Sequence, residues 1–228
     1  MTDAATDLDQ LSDLRVRAGR AVRDLGHALV GHHADAAMLQ RLAVELEALT
    51  DELDRGTDRN RDVTSFGSQW GEPYREGVPL TSFADRPVSG QASPWGLDLE
   101  VHRHGDEIEA IVTLRSAHEG APGRSHGGIV AALFDDVFGF VLGVVEQAAF
   151  TGELTIRYVG PTPLHRPLAC RARLAERHGR KLTITGELVD LSAQGEPVVA
   201  RASSLFIAVD REQVAALTAE RPPPPDEG

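Results

Sequence analysis

The chain has 228 residues, 41% of them hydrophobic and 25% charged, which is the composition of a globular domain with an appendage. Its formal net charge of −12 excludes a general affinity for nucleic acid or anionic membranes, both of which need cationic surface. Cys170 is the only cysteine and no intrachain disulfide is possible, so the expected location is a reducing, cytoplasmic one.

In chain order, residues 1–55 carry leucines at helical spacing, first Leu8, Leu11, Leu14, Leu25 and Leu29, then Leu39, Leu42, Leu46, Leu49 and Leu53. Gly31 ends one helix and Asp35 is placed to cap the next, so a helical hairpin extension is expected. The acidic, polar start lacks the pattern of a signal peptide. Residues 56–95 are rich in Gly, Pro, Ser, Asp and Arg. They read as an extended linker lying on the main domain, anchored by Trp70, Tyr74, Phe83 and Trp95. Residues 96–210 form the main domain, and 211–228, ending in RPPPPDEG, read as a partly disordered tail.

Within the main domain Leu97, Leu99 and Val101 alternate with polar residues, and Ile108, Ala110, Val112 and Leu114 repeat the pattern after a Gly105-Asp106 turn. An almost wholly apolar segment, about 128–146, is read as a buried helix. Its two acids argue against a membrane span, which needs roughly 20 apolar residues. Four more alternating runs follow: Leu154–Tyr158, Leu168–Leu174, Leu182–Leu188 and Val198–Val209. Two strands, one helix and four strands with short connections predict an α+β domain, an antiparallel sheet curled around a central helix.

The segment Gly123–Asp136, GRSHGGIVAALFDD, carries the chemistry. Gly127 and Gly128 either make a tight turn or let a ligand approach bare N–H groups at a helix N-terminus. In the second case those donors polarise a carbonyl and hold an oxyanion. Asp135 follows Gly128 by about two turns and shares its helix face, while Asp136 points about 100° away. Asp136 is expected to face solvent or a neighbouring strand, or to pair with an arginine across a subunit contact. No Gly-x-Ser-x-Gly or phosphate-loop motif is present, and none of the nine histidines has metal-ligand spacing.

The order of elements, the run HGGIVAALFDD and the run TGELTIRYVGPTPL together resemble the PaaI-like and THEM4-like acyl-CoA thioesterases of the hotdog fold. The likeness lies in His126-Gly127-Gly128, Asp135 nine positions after the histidine, and Thr151 sixteen after the aspartate; it covers about residues 86–210. It implies hydrolysis of an acyl-CoA to free acid and CoA without a metal or redox cofactor. Asp135 is then the general base or nucleophile, Thr151 holds the attacking water or steadies Asp135, and His126 shapes the loop. It also implies a homodimer or dimer of dimers with active sites at the subunit interface, the loop of one chain serving Asp135 of the other. Arg124, Arg157 and Arg173 are the candidates for the CoA phosphates. Where several relatives carry asparagine, six positions before the histidine, this chain has Gly120, and the adjacent Glu119 is the candidate to take part of that role. Two other readings of the same residues are a hotdog enoyl-thioester hydratase or dehydratase and a non-catalytic acyl-CoA-binding module.

Overall fold

The computed structural model describes residues 3–57 and 74–210, so Trp70 and the proline-rich end lie outside the described residues. Two helices open the chain, α1 (Asp3–Gly31) and α2 (Ala36–Asp54), and the Asp35 carboxylate accepts the Met38 N–H at 2.8 Å to cap α2. Then come β1 (Glu100–His104), β2 (Glu107–Thr113), a 3-10 turn (Ser116–His118), α3 (Gly127–Val144), β3 (Ala149–Tyr158), β4 (Pro167–His178), β5 (Lys181–Asp190) and β6 (Val198–Ala208). The strands make one antiparallel sheet in the order β1-β2-β4-β5-β6-β3, leaving β1 and β3 at its edges. The sheet curls around α3, which is the hotdog arrangement.

Alternation along the strands decides which residues meet the helix. Ile108, Ala110, Val112, Leu168, Cys170, Ala172, Leu182, Ile184 and Phe206 point inward and pack with Val130, Leu133, Phe134, Val137, Phe138 and Val141 of α3. Cys170 is fully buried there, and burial pushes its thiol pKa up, so it is an inert apolar filler. At Gly186 a Cβ would sit 2.8 Å from the Phe138 ring, so glycine lets the sheet close over that side chain. Among the described residues α3 is the one helix long and apolar enough to cross a membrane, but here the sheet and the segment 74–97 cover it.

That segment straps the face of α3 turned away from the sheet. The Tyr74 ring lies over Gly143 and tilts against Phe140 at 6.4 Å. Arg86 lies 5.4 Å from the Phe140 ring centroid, and its Nε pairs with Asp136 Oδ1 at 2.6 Å. Two expectations are corrected here. Asp136 is not at the surface and not paired across a subunit contact: only 6% exposed, it is held by an arginine of its own chain. Burial raises its pKa, and the Arg86 charge opposes that rise. Trp95 anchors nothing, being 82% exposed, because the turns around it send Ala92, Ser93 and Leu97 inward instead.

The first strand also starts later than its alternation suggests. Asp98 has φ +52, which breaks the extended run after Leu97 and aims its carboxylate at Arg23 of α1, 2.6 Å away. Around this contact α1 docks on the domain. Gly19 lies directly against the Ala92 carbonyl, where any side chain would overlap it, and Arg23 donates to the Ser93 carbonyl. No residue of α2 is buried.

Removing one member of a buried ion pair strands the other charge. Arg86→Met should therefore lower the unfolding free energy by roughly 3 kcal/mol, and adding Asp136→Asn should recover part of it. Urea denaturation of the two variants checks this.

Candidate active site

Helix α3 begins at the Gly-Gly pair because His126 caps it. Its backbone is extended (φ −64, ψ 135), and its Nδ1 accepts the Gly128 N–H at 3.0 Å. This gives His126 a loop-shaping task and places its ring on one of the two expected oxyanion donors. The Gly127 N–H has no hydrogen-bond partner among the described residues and stands at the positive end of the helix dipole. The Gly127 carbonyl accepts the Tyr158 hydroxyl at 2.8 Å, and a Cβ on Gly127 would come within 2.9 Å of that oxygen. Glycine is needed at 127 because Tyr158 closes over the backbone.

The loop ahead of the helix is held at three points. The His126 N–H donates to the His118 carbonyl at 2.8 Å, the Ser125 N–H to the Thr162 carbonyl at 3.0 Å, and the Gly120 N–H to the Arg124 carbonyl at 2.9 Å. Glu119 Oε1 accepts the Gly123 N–H at 2.5 Å, so Glu119 holds the tip of the loop. Gly120 lies against His126, whose Cα would be 2.7 Å from an added Cβ. A side chain at 120 has no room in this loop unless His126 shifts.

Asp135 is exposed at the end of the sheet beside β3. Thr151 Oγ1 donates to Asp135 Oδ1 at 2.9 Å. An irregularity in β3 makes this contact. Thr151 pairs with Phe206 and Glu153 with Leu205, so Gly152 is an extra residue that resets the alternation. Leu154, Ile156 and Tyr158 face inward, and without the bulge Thr151 would face outward with Glu153 and Thr155. Eight residues of helix separate Gly127 from Asp135, an axial distance of about 12 Å.

A cleft of about 230 Å³ opens at the helix start, lined by Arg124, Gly127, Val130, Tyr158, Gly160 and Thr162 among others. Arg124 is at its rim, with Nη1 donating to the Gly123 carbonyl at 3.0 Å. The other two candidate arginines are elsewhere. Arg157 faces the opposite side of β3 from Tyr158 and pairs in register with Arg201. Arg173 lies on the outer sheet face in a second cleft, of about 500 Å³, with Glu107, Arg171, Thr185, Glu187 and Arg201. Among the described residues no cluster of His, Cys, Asp or Glu could hold a metal ion.

Two histidines absent from the sequence-based site carry the loop. His118 Nδ1 accepts the Arg115 N–H at 3.0 Å, and His27 Nδ1, from α1, accepts the Ala117 N–H at 3.0 Å. Their rings meet edge to face at 4.6 Å. Burial, helped by the His27 and Arg115 charges, pushes His118 down to about 4 from 6.5, and burial also lowers His27.

Residues 123–203 match the family model of the thioesterase superfamily. The acyl-coenzyme A thioesterase THEM4 of Bos taurus is 27% identical over 120 residues, covering 52% of this chain and 48% of that protein. THEM4 of Mus musculus is 30% identical over 95 residues, covering 42% of this chain and 40% of that protein. The chain thus spans less than half the length of these curated relatives. A crystal structure of a thioesterase superfamily protein is 28% identical, covers 85% of this chain and 94% of its own, and superposes with a TM-score of 0.68.

Protonation of the buried His118 opposes folding. The folded chain refuses a proton that the unfolded chain accepts below 6.5, so stability is full above that pH and falls as pH drops toward about 4. The melting temperature should decline across this window, and His118→Asn, which keeps an acceptor for the Arg115 N–H, should flatten the decline. Thermal melts of both proteins between pH 7 and pH 4 measure it.

Proposed function

We propose that this chain, whose residues 123–203 match the thioesterase superfamily model, hydrolyses an acyl-CoA thioester to the free acid and CoA. The observation that carries the reading is the Thr151–Asp135 hydrogen bond at the open end of the sheet. It orients one carboxylate oxygen and leaves the other to take a proton from water. Water oxygen attacks the thioester carbonyl carbon and Asp135 accepts the water proton. The tetrahedral intermediate then collapses with cleavage of the C–S bond, and the CoA sulfur leaves as the thiol with the proton returned. The Gly127 N–H at the helix N-terminus supplies the oxyanion donor, and Gly128 joins it once the substrate displaces the His126 ring.

One chain does not supply both parts to one carbonyl, since about 12 Å of helix lies between them. The reading therefore includes a second copy. Among the described residues β3 pairs with β6 on one side only, and Tyr158 along it is 53% exposed. An antiparallel β3–β3 contact joins the two sheets and brings the Gly127 loop of one chain over Asp135 of the other. Arg124 at the cleft rim is the phosphate contact for CoA.

Thiol release from a panel of acyl-CoA substrates tests the activity. Asp135→Ala should lower kcat by about 10²–10⁴-fold while the assembly persists; activity equal to wild type sinks the mechanism. Asp136→Ala should act mainly on stability. Arg124→Glu should raise KM far more than it lowers kcat, whereas Arg173→Glu, on the outer sheet face, should leave KM unchanged.

A further inference from the structure

Helix α2 is 19 residues long and buries none of them. Leu39, Leu42, Leu46, Leu49 and Leu53 recur at intervals of three, four, three and four, the strict seam of a helix that packs against one other helix. Leu39 is 43% exposed, Leu49 56% and Leu53 80%. Helix α1 has two stripes. Gly19, Arg23 and His27 face the domain, while Leu11, Leu14, Val22 and Leu29, about 140° round the helix, are all close to half exposed. The two apolar seams do not cover one another within the chain, although only four residues, 32–35, join the helices.

Charge indicates what each seam fits. The leucine seam of α2 is flanked by Glu45 and Glu52 on one side, where Arg41 lies 3.9 Å from Glu45, and by Glu47 and Asp54 on the other, which leaves its flanks net negative. The outer seam of α1 is flanked by Arg15 and Arg17. Two α2 helices set against each other juxtapose like charges, whereas α2 against α1 juxtaposes opposite ones. We infer that the leucine seam of α2 packs on the arginine-flanked outer seam of α1 from a second copy of this chain, and reciprocally, so that the N-terminal helices of two protomers form an exchanged four-helix contact. A two-fold axis generates both halves at once. The inner stripe of α1 remains docked through His27 on the loop that leads to Gly127, so this contact ties the assembly to the loop.

The test uses two full-length variants, Arg15→Glu with Arg17→Glu, and Glu45→Arg with Glu52→Arg. Neither set touches a residue of the site. Hydrogen exchange of the α2 amides is read for wild type, each variant alone and an equimolar mixture. The inference expects α2 amides slowed at least about tenfold in wild type relative to either variant alone, with the slowing restored on mixing, because each variant's altered seam meets its complement on the other. Fast exchange in wild type overturns it. Slow exchange in the arginine variant alone overturns it in favour of α2 meeting α2. Failure of the mixture to restore protection overturns it in favour of closure within one chain.

Discussion

A helix that is apolar nearly all round sets the terms for the rest of this molecule. Helix α3 places Phe134, Phe138 and Phe140 in positions that have almost no solvent contact, and an antiparallel sheet of six strands covers only part of such a cylinder. The remaining surface is closed by residues 74–97, where Tyr74 and Leu97 supply apolar cover. One acid of the helix is enclosed by that cover, and Arg86 keeps Asp136 paired there. The other acid, one position earlier, reaches the gap where the sheet ends at β3 and stays accessible. The two aspartates thus have different environments because the strap and the sheet edge lie on different sides of one helix.

Small irregularities then convert a packing solution into a candidate site. The extra residue at Gly152 turns Thr151 toward the helix and onto Asp135. The His126 cap and the Tyr158 hydroxyl fix the Gly-Gly turn from two directions. The loop before it hangs from the 3-10 turn, which is itself held by His27 of α1. The N-terminal extension is therefore mechanically continuous with the proposed oxyanion loop, and the neutral state of two buried histidines is part of that continuity.

Much of this was legible in the sequence because period and spacing are backbone properties. The alternating runs, the Gly105 turn, the apolar helix and the Asp35 cap follow from local pattern, and Thr151 and Asp135, sixteen positions apart, do meet. What the sequence concealed are partners far apart along the chain and local breaks of period. Arg86 lies 50 residues before Asp136 and no spacing links them. The positive φ of Asp98 interrupts an alternation that otherwise reads as strand from Leu97. Tyr158 did carry a signal, since Leu154 and Ile156 set its parity as inward, but its bond to Gly127 depends on where the helix begins. The three arginines offered equal promise as phosphate contacts, and only the fold separates Arg124 at the cleft rim from Arg157 and Arg173 on other faces.

The central claim is that the loop of one protomer and the aspartate of another act on one thioester, and subunit complementation tests it most directly. Gly127→Pro combined with Tyr158→Ala on the same chain removes the proposed donor at the first helical position; deleting the Tyr158 ring makes room for the added Cβ, and the preceding His126 already has the extended backbone that proline requires. Asp135→Ala removes the base. Each variant alone should be inactive in thiol release. After the two are unfolded together and refolded, about half the dimers are mixed and each carries one intact site, so activity should return to about a quarter of wild type. A mixture as inactive as its components contradicts the account and places loop and aspartate in a single chain.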